Sequence, residues 1–332
     1  MKVSIIVPVY NVEEFIYATL DSIIAQTMQD FEVLLIDDCS TDRSGEICKQ
    51  IAVRDSRFKY IRNEKNSGPA PTRNKGIQQA QGEYLSFIDS DDVVEPQFLD
   101  RMVTTAMDND ADIVWCNLKY KRVALGIERN ANHGHDGLIR DKDFVKCYVY
   151  NSTGCGSMCD KLYRKNFLKR NSLIIDEKIV NGEDFDFNLR ASLCHPKVYA
   201  IQDVLYVYMR YGTISVSKTY FPNDFESYCN SYIALNQIAV NSQISEWINE
   251  VDYRFLCNYI FLINKIYRSN LSPLEKESEF KKIVKNPIFK KLLRRNVWNS
   301  KLTMRLKVNI LAYRYGFNKL GKMFTMLPTL KR

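Results

Sequence analysis

Apolar positions in the first 115 residues follow two rhythms. Short apolar runs, VSIIVPVY (3–10), FEVLLID (31–37), FKYIR (58–62), YLSFID (84–89) and ADIVWCNL (111–118), read as strands. Between them, apolar residues recur every three or four positions. That spacing predicts helices over 12–26, 42–53 and 70–81, and a further helix opening at Pro96. Asn11, with Glu14 three residues on, has the spacing of a capping box at the first helix. Strands that alternate with helices need crossover connections. The chain therefore opens as an α/β domain, Rossmann-like, with a mainly parallel sheet and helices on both faces.

The alternation breaks up after residue 115. VLYVYMRY (204–211) reads as a strand among helices near 141–151 and 183–194. From about residue 222 the strands vanish and only helical spacing remains. The expected organisation is one α/β domain over 1–220, with halves at 1–115 and 116–220, followed by an all-helical region over 221–332.

Composition narrows the class. With 45% apolar and 26% charged residues, the chain can bury a sizeable core and is not a disordered one. No run approaches the roughly 18 apolar residues of a membrane span. The best stretch, FLCNYIFLI (255–263), is interrupted by Asn258. The apolar opening is too short for a secretion signal. The nine cysteines include no CxxC pair, and Cys155 and Cys159 have no matching second pair, so reduced thiols in the cytoplasm are expected. HGH (133–135) lies in a polar stretch and reads as a surface loop, not a metal pair.

Charge is unevenly placed. Residues 251–332 hold 19 Lys/Arg against 4 Asp/Glu, a net +15, while the first 250 hold 28 against 35, a net −7. NPIFKKLLRRN (286–296) separates on a helical wheel into Ile288, Phe289, Leu292 and Leu293 on one side and Lys290, Lys291, Arg294 and Arg295 on the other. KLTMRLKVNILAYRYGFNKLGKMF (301–324) is also basic and apolar. Residues 286–332 are therefore expected on an anionic membrane surface, peripheral to the inner face of the cytoplasmic membrane. The other reading is a helical cap with an exposed basic face. No nucleic-acid motif is present.

Ligands of open parallel sheets bind beyond the carboxyl ends of the strands. Polar residues gather at those ends: Tyr10 and Asn11 after the first strand, Asp37 and Asp38 after the second, and Asp89, Ser90, Asp91 and Asp92 after the fourth. If 87–91 stay extended, Asp89 and Asp91 project to one side and offer hard oxygens to Mg²⁺ or Mn²⁺. Taken alone, such a pair is equally an acidic turn before a helix.

Six blocks in order carry a resemblance. VSIIVPVYN, FEVLLIDDCSTDRS and PTRNKGIQQAQGEYLSFIDSDD are followed by CGSMCDKLYRKNFL (155–168), VNGEDFDFNLR (180–190) and YVYMRYGTISVS (206–217). Together they resemble the family-2 glycosyltransferases of bacteria, which have the GT-A fold. The resemblance implies an inverting, metal-dependent transfer of a sugar from a nucleotide-sugar donor, most simply a UDP-sugar, to a saccharide hydroxyl. The acceptor it suggests is lipid-linked, such as a polyprenyl-diphosphate-linked saccharide, in surface-polysaccharide assembly. Pro8, Val9, Tyr10 and Asp38 would hold the base, Arg73 would lie against the nucleotide, and Asp89 would meet the ribose. Glu14 and Ser90 fall on the same nucleotide-sugar side. Asp91 would be the main ligand of a divalent metal, Mn²⁺ or Mg²⁺. Asp184 would be the general base, with Glu183, Asp160 and Lys161 on the acceptor side. Arg210 and Ser215 would close over the diphosphate. The tryptophan usual in the 155–168 block is absent, with Cys159 near its place.

Two other readings use the same residues. A sugar nucleotidylyltransferase shares a related sheet but should carry a Gly-rich loop near its start, and VPVYNVEEF has none. A non-catalytic, membrane-docked subunit that binds nucleotide sugars would be expected to lose Asp91 or Asp184, and both are present.

Overall fold

VSIIVPV forms β1 (Val3–Val9), FEVLLID forms β2 (Phe31–Asp37) and FKYIR forms β3 (Phe58–Arg62). β1 and β2 are buried along nearly their whole length, as strands covered on both faces must be. The computed structural model describes residues 1–150, 154–179, 181–211, 220–295, 303–317 and 321. The chain divides into two units, Met1–Thr213 and Ile214–Arg332, at a point outside the described residues.

In the first unit the strands continue as β4 (Tyr84–Phe87), β5 (Val93–Val94), β6 (Ile113–Arg122), β7 (Ile127–Ala131), β8 (Gly137–Ile139), β9 (Lys161–Arg164) and β10 (Val198–Arg210). They form one sheet in the order β3-β2-β1-β4-β9-β6-β10-β5, with β7 on β6 and β8 on β10. β1 pairs in parallel with β2 and β4, β2 with β3, and β10 with β6. β9 runs antiparallel between β4 and β6, so β1, β2, β3, β4, β6 and β10 all point one way. Their carboxyl ends share one edge. The expected division at 115 falls inside β6, so the two halves share a single sheet.

The helices of this unit are α1 (Ile16–Ile24), α2 (Ser44–Arg54), α3 (Pro69–Gln79), α4 (Phe98–Asp108), α5 (Asp141–Tyr150), α6 (Lys165–Arg170) and α7 (Glu183–Ser192). α3 lies close on β1: a side chain at Gly76 would run into Ile6. Three helix and strand boundaries differ from expectation. Asn11 does not cap a helix at residue 12. It takes a left-handed φ of 49°, and its Oδ1 accepts from the Thr41 main-chain N–H at 2.9 Å, so α1 starts only at Ile16. Pro96 sits in a turn before α4, where Phe98 N donates to Glu95 O. YLSFID leaves the sheet after Phe87.

HGH also departs from its expected surface position. His133 is buried and lies 4.4 Å from the Trp115 ring, and burial beside His135 and Lys161 lowers its pKa to about 4. All nine cysteines are free thiols.

The second unit is helical among its described residues: α8 (Asp224–Asn241), α9 (Ser245–Arg268), α10 (Pro273–Lys285), α11 (Pro287–Arg295) and α12 (Met304–Arg314). α9 is its core, burying Val251, Phe255, Leu256, Tyr259, Ile263 and Ile266. α8, α10 and α11 pack on it. The wheel of α11 is as predicted, but its role is not. Phe289 and Leu292 are fully buried and Leu293 nearly so, with the Phe289 ring 5.7 Å from Tyr259. The apolar face of α11 is therefore covered by the protein and is not free to enter a membrane interface. Its basic face, with Lys290, Arg294 and Arg295, stays exposed. No helix among the described residues is long and apolar enough to cross a membrane.

Candidate active site

The shared strand edge gathers the polar residues from several segments. β1 ends in half-buried Pro8, buried Val9 and exposed Tyr10. Val9 has its side chain in the core and offers only main chain here. Its carbonyl accepts from Asp38 N at 2.8 Å. Glu14 is exposed. The neighbouring Glu13 makes the contact, accepting from Arg43 N at 2.9 Å.

Asp37 and Asp38 hold the loops around the end of β2. Asp37 accepts from Ser40 N (2.9 Å), the Tyr60 hydroxyl (2.6 Å) and Arg62 Nη1 (3.1 Å). Asp38 accepts from Asn63 Nδ2 at 2.8 Å, Ser67 N at 2.9 Å and Gly68 N at 2.7 Å, which fastens the loop leading into α3. A nucleobase imide would share this carboxylate with that loop.

α3 then delivers Arg73, only 5% exposed, to the centre of the site. Its Nη2 donates to Asp89 Oδ1 at 2.8 Å and its Nη1 to Glu183 Oε1 at 2.9 Å. Asp184 Oδ1 is 3.4 Å from the same Nη1. Burial opposes the charge on Arg73, but Asp184, Asp89 and Glu183 together outweigh it and hold the guanidinium above its ordinary pKa. Resemblance places this arginine against a nucleotide. Here its guanidinium faces the three carboxylates.

Glu183 and Asp184 open α7, behind Gly182, whose φ of 87° suits glycine. Burial, then repulsion from Asp184, pushes the Glu183 pKa up to about 7 despite Arg73. Burial also raises Asp184, with Arg73 pulling it back. Asp184 Oδ1 is sealed from solvent without a hydrogen-bond partner among the described residues, yet 26% of the side chain stays exposed. It is a carboxylate of raised basicity, partly open to whatever enters.

The acidic segment after β4 is a turn, with Asp92 N donating to Asp89 O at 3.0 Å. Asp89 and Asp91 are thus not same-side residues of an extended strand, as alternation predicted. Ser90 is buried, and its carbonyl accepts from Thr19 Oγ1 at 3.0 Å. Asp92, which sequence reasoning left without a role, is buried and ties the turn to β10. Its Oδ2 accepts from the Tyr206 hydroxyl at 2.6 Å and its Oδ1 from Met209 N at 2.7 Å. The Tyr206 oxygen in turn accepts from Asp89 N at 3.2 Å. The signal was available in the third acid of DSDD and the tyrosine of YVYMR.

Asp91 is the carboxylate of the turn for which a cation is wanted. Burial, then the charge of Asp89, raises its pKa to about 6. Asp91 and the one Asp89 oxygen that Arg73 leaves free are carboxylate oxygens of the kind a hard divalent cation takes. The described residues hold no cluster of three or more such ligands, so diphosphate oxygens would have to complete it.

Arg210 ends β10 on the same edge, exposed, with its guanidinium over the Tyr120 ring (5.1 Å) and the Tyr208 ring (5.5 Å). Next to it, Tyr211 stacks on Phe15 at 4.1 Å. Ser215 lies outside the described residues. Asp160 and Lys161 depart from the acceptor-side expectation. Both are at most 1% exposed. Lys161 Nζ donates to Asp160 Oδ1 (2.7 Å), Ser157 O (2.7 Å) and Gly154 O (2.9 Å), and Trp115 Nε1 donates to Asp160 Oδ2 (3.1 Å). They hold the 154–161 loop from within and present nothing to an acceptor.

Comparison with known proteins agrees with this arrangement. The model of the family described as Glycosyl transferase family 2 matches residues 4–171. EpsH of Bacillus subtilis (strain 168), a glycosyltransferase by name, is 31% identical over 88% of this chain and 85% of its own. EpsJ of the same organism, also named a glycosyltransferase, is 35% identical over 62% of this chain, and the match spans only 60% of EpsJ. The crystal structure of S. aureus TarS 1–349 in complex with UDP-GlcNAc has a TM-score of 0.68 at 21% identity, covering 98% of this chain and 90% of that one, a likeness of fold. With the mainly parallel sheet and the acids at its edge, these matches establish that the chain belongs to glycosyltransferase family 2.

Proposed function

We propose that the chain transfers a sugar from a UDP-sugar to a hydroxyl of a saccharide acceptor, with inversion, in the assembly of an envelope polysaccharide. The observation that carries this reading is the Arg73 junction. It brings Asp89 of the strand-edge turn and both acids that open α7 to one guanidinium. Two similarities support the donor and the setting. TarS has been crystallised with UDP and with UDP-GlcNAc. Poly(ribitol-phosphate) beta-glucosyltransferase of Bacillus spizizenii is 33% identical over 63% of this chain and 32% of its own.

A sugar hydroxyl is a weak nucleophile until its proton is taken. Asp184 is the base: burial raises its proton affinity, and Arg73, 3.4 Å away, pulls it back. As the hydroxyl oxygen bonds to the anomeric carbon, its proton passes to Asp184. The bond from that carbon to the diphosphate oxygen breaks, and its electron pair leaves with the nucleoside diphosphate. Attack from the face opposite the leaving group inverts the centre. Asp91 and Asp89 would hold a divalent metal, which when bound supplies charge stabilisation for the departing diphosphate. Arg210 adds a cation on the same edge. The acceptor is expected to be lipid-linked.

The test is UDP release from a panel of UDP-sugars with Mn²⁺, with and without saccharide acceptors. Asp184→Asn should lower turnover by about 10²–10⁴-fold while UDP still binds. Wild-type turnover by that variant removes Asp184 as the base.

A further inference from the structure

α12 has two apolar faces, and the described residues of the helical unit cover only one of them. Ile310, Ala312 and Tyr313 are buried, with the Tyr313 ring 6.1 Å from Phe289 and 6.0 Å from Phe280. Met304, Leu311 and Tyr315 recur at spacings of seven and four, which puts them on one stripe of the helix, turned away from Tyr313. They are 75%, 37% and 66% exposed, and Phe317 in the turn just beyond is 63% exposed. Single exposed apolar residues need no explanation, but an aligned stripe of three, with a further exposed aromatic in the turn beyond it, does.

Its surroundings are basic. Arg314 is exposed next to Tyr315, its guanidinium 5.7 Å from that ring, and Lys307 lies on the same helix. α11 packs against α12 and exposes Lys290, Arg294 and Arg295. Of these, Arg295 is paired with Asp252 at 3.3 Å. The exposed bases of α11 and α12 belong to a segment, 251–332, that carries a net +15. A second copy docked through the same face would meet that charge with its own. An aqueous polyanion would answer the charge but leave the apolar stripe in water. An anionic bilayer surface answers both, with acyl chains for Met304, Leu311 and Phe317, a headgroup boundary for Tyr315, and lipid phosphates for the bases.

We propose that the outward stripe of α12, with the basic face of α11 beside it, seats the protein on an anionic membrane surface. The apolar contact therefore belongs to α12 and not to α11, whose apolar side is covered. Binding is peripheral, and it stands or falls separately from the sugar-transfer reading.

The experiment is co-sedimentation of the full chain with vesicles of phosphatidylcholine alone and of equal parts phosphatidylglycerol and phosphatidylcholine. Three variants accompany the wild type: Leu311→Ser/Tyr315→Ser/Phe317→Ser, Lys290→Glu/Arg294→Glu, and Leu274→Ser as an exposed apolar control on α10. The expected result is binding to the anionic vesicles only, weakened by salt. Each of the first two variants should weaken it at least about tenfold, and the control should leave it unchanged. Far-UV circular dichroism and melting temperature should be equal in all four proteins, which shows that the variants are folded. No binding to anionic vesicles overturns the proposal. So does binding that the serine variant leaves intact, which would assign the face to phosphate polymers through charge alone. A concentration-dependent dimer that the serine variant breaks would assign it to a second copy.

Discussion

Arg73 Nη1 donates to Glu183 Oε1 at 2.9 Å, joining residues 110 positions apart in the chain. Nη2 of the same guanidinium holds Asp89, so one buried fork links the strand-edge turn to the start of α7. Only arginine presents donors in this planar arrangement. Arg73→Gln should therefore strand three acids in a region largely closed to water. Loss of one partner from a buried pair costs about 3–5 kcal/mol. Urea denaturation checks this, and a loss below about 1 kcal/mol would mean that the acids relax to solvent.

Glu183 makes the stability depend on pH. Its folded pKa of about 7 lies above the ordinary 4.5, so the folded state holds a proton that the unfolded state releases in that range. The contribution is full below pH 4.5 and is lost as pH rises through 7, with a slope of at most about 1.4 kcal/mol per pH unit. Glu183→Gln mimics the protonated form. Its stability relative to wild type should rise between pH 5 and pH 8 in chelator-treated protein. Parallel melting curves across that range would show that Glu183 titrates normally.

Tyr206 couples the acidic turn to β10, since its hydroxyl meets both Asp92 Oδ2 and Asp89 N. Tyr206→Phe keeps the ring and removes both bonds, leaving the Asp92 carboxylate short of a donor. The same strand ends in Arg210 four residues on. We expect a several-fold rise in the KM for the donor with a smaller fall in kcat. Unchanged KM with lowered stability would confine Tyr206 to the scaffold.

The strands β1, β2 and β4 were legible because a strand covered on both faces must be written mainly in apolar residues. The acids at the strand ends were legible as a group, and so was the pair that opens α7. Their connections were not. Nothing local in PTRNKG says that Arg73 will reach Glu183, because a helix and a distant loop must first be packed together. Asp89 and Asp91 defeated strand alternation because the chain turns as soon as β4 ends, with Asp92 anchored by Tyr206. Asp160 and Lys161 look like site residues in CDKLYR, yet they neutralise each other beneath Trp115. The two-sided wheel of α11 could not reveal its role, because a buried apolar face reads the same whether protein or lipid covers it.

The central claim is that the turn after β4 binds a nucleoside diphosphate through a divalent cation. The direct measurement is the melting temperature of wild type and Asp91→Ala with UDP, Mn²⁺, both or neither. A ligand bound only by the folded state stabilises it by about 2.7 kcal/mol at 100 times its dissociation constant. The account predicts that UDP with Mn²⁺ raises the melting temperature of wild type well beyond either alone, and that Asp91→Ala loses this gain. Equal stabilisation of both proteins, or none in wild type under any condition, would contradict it.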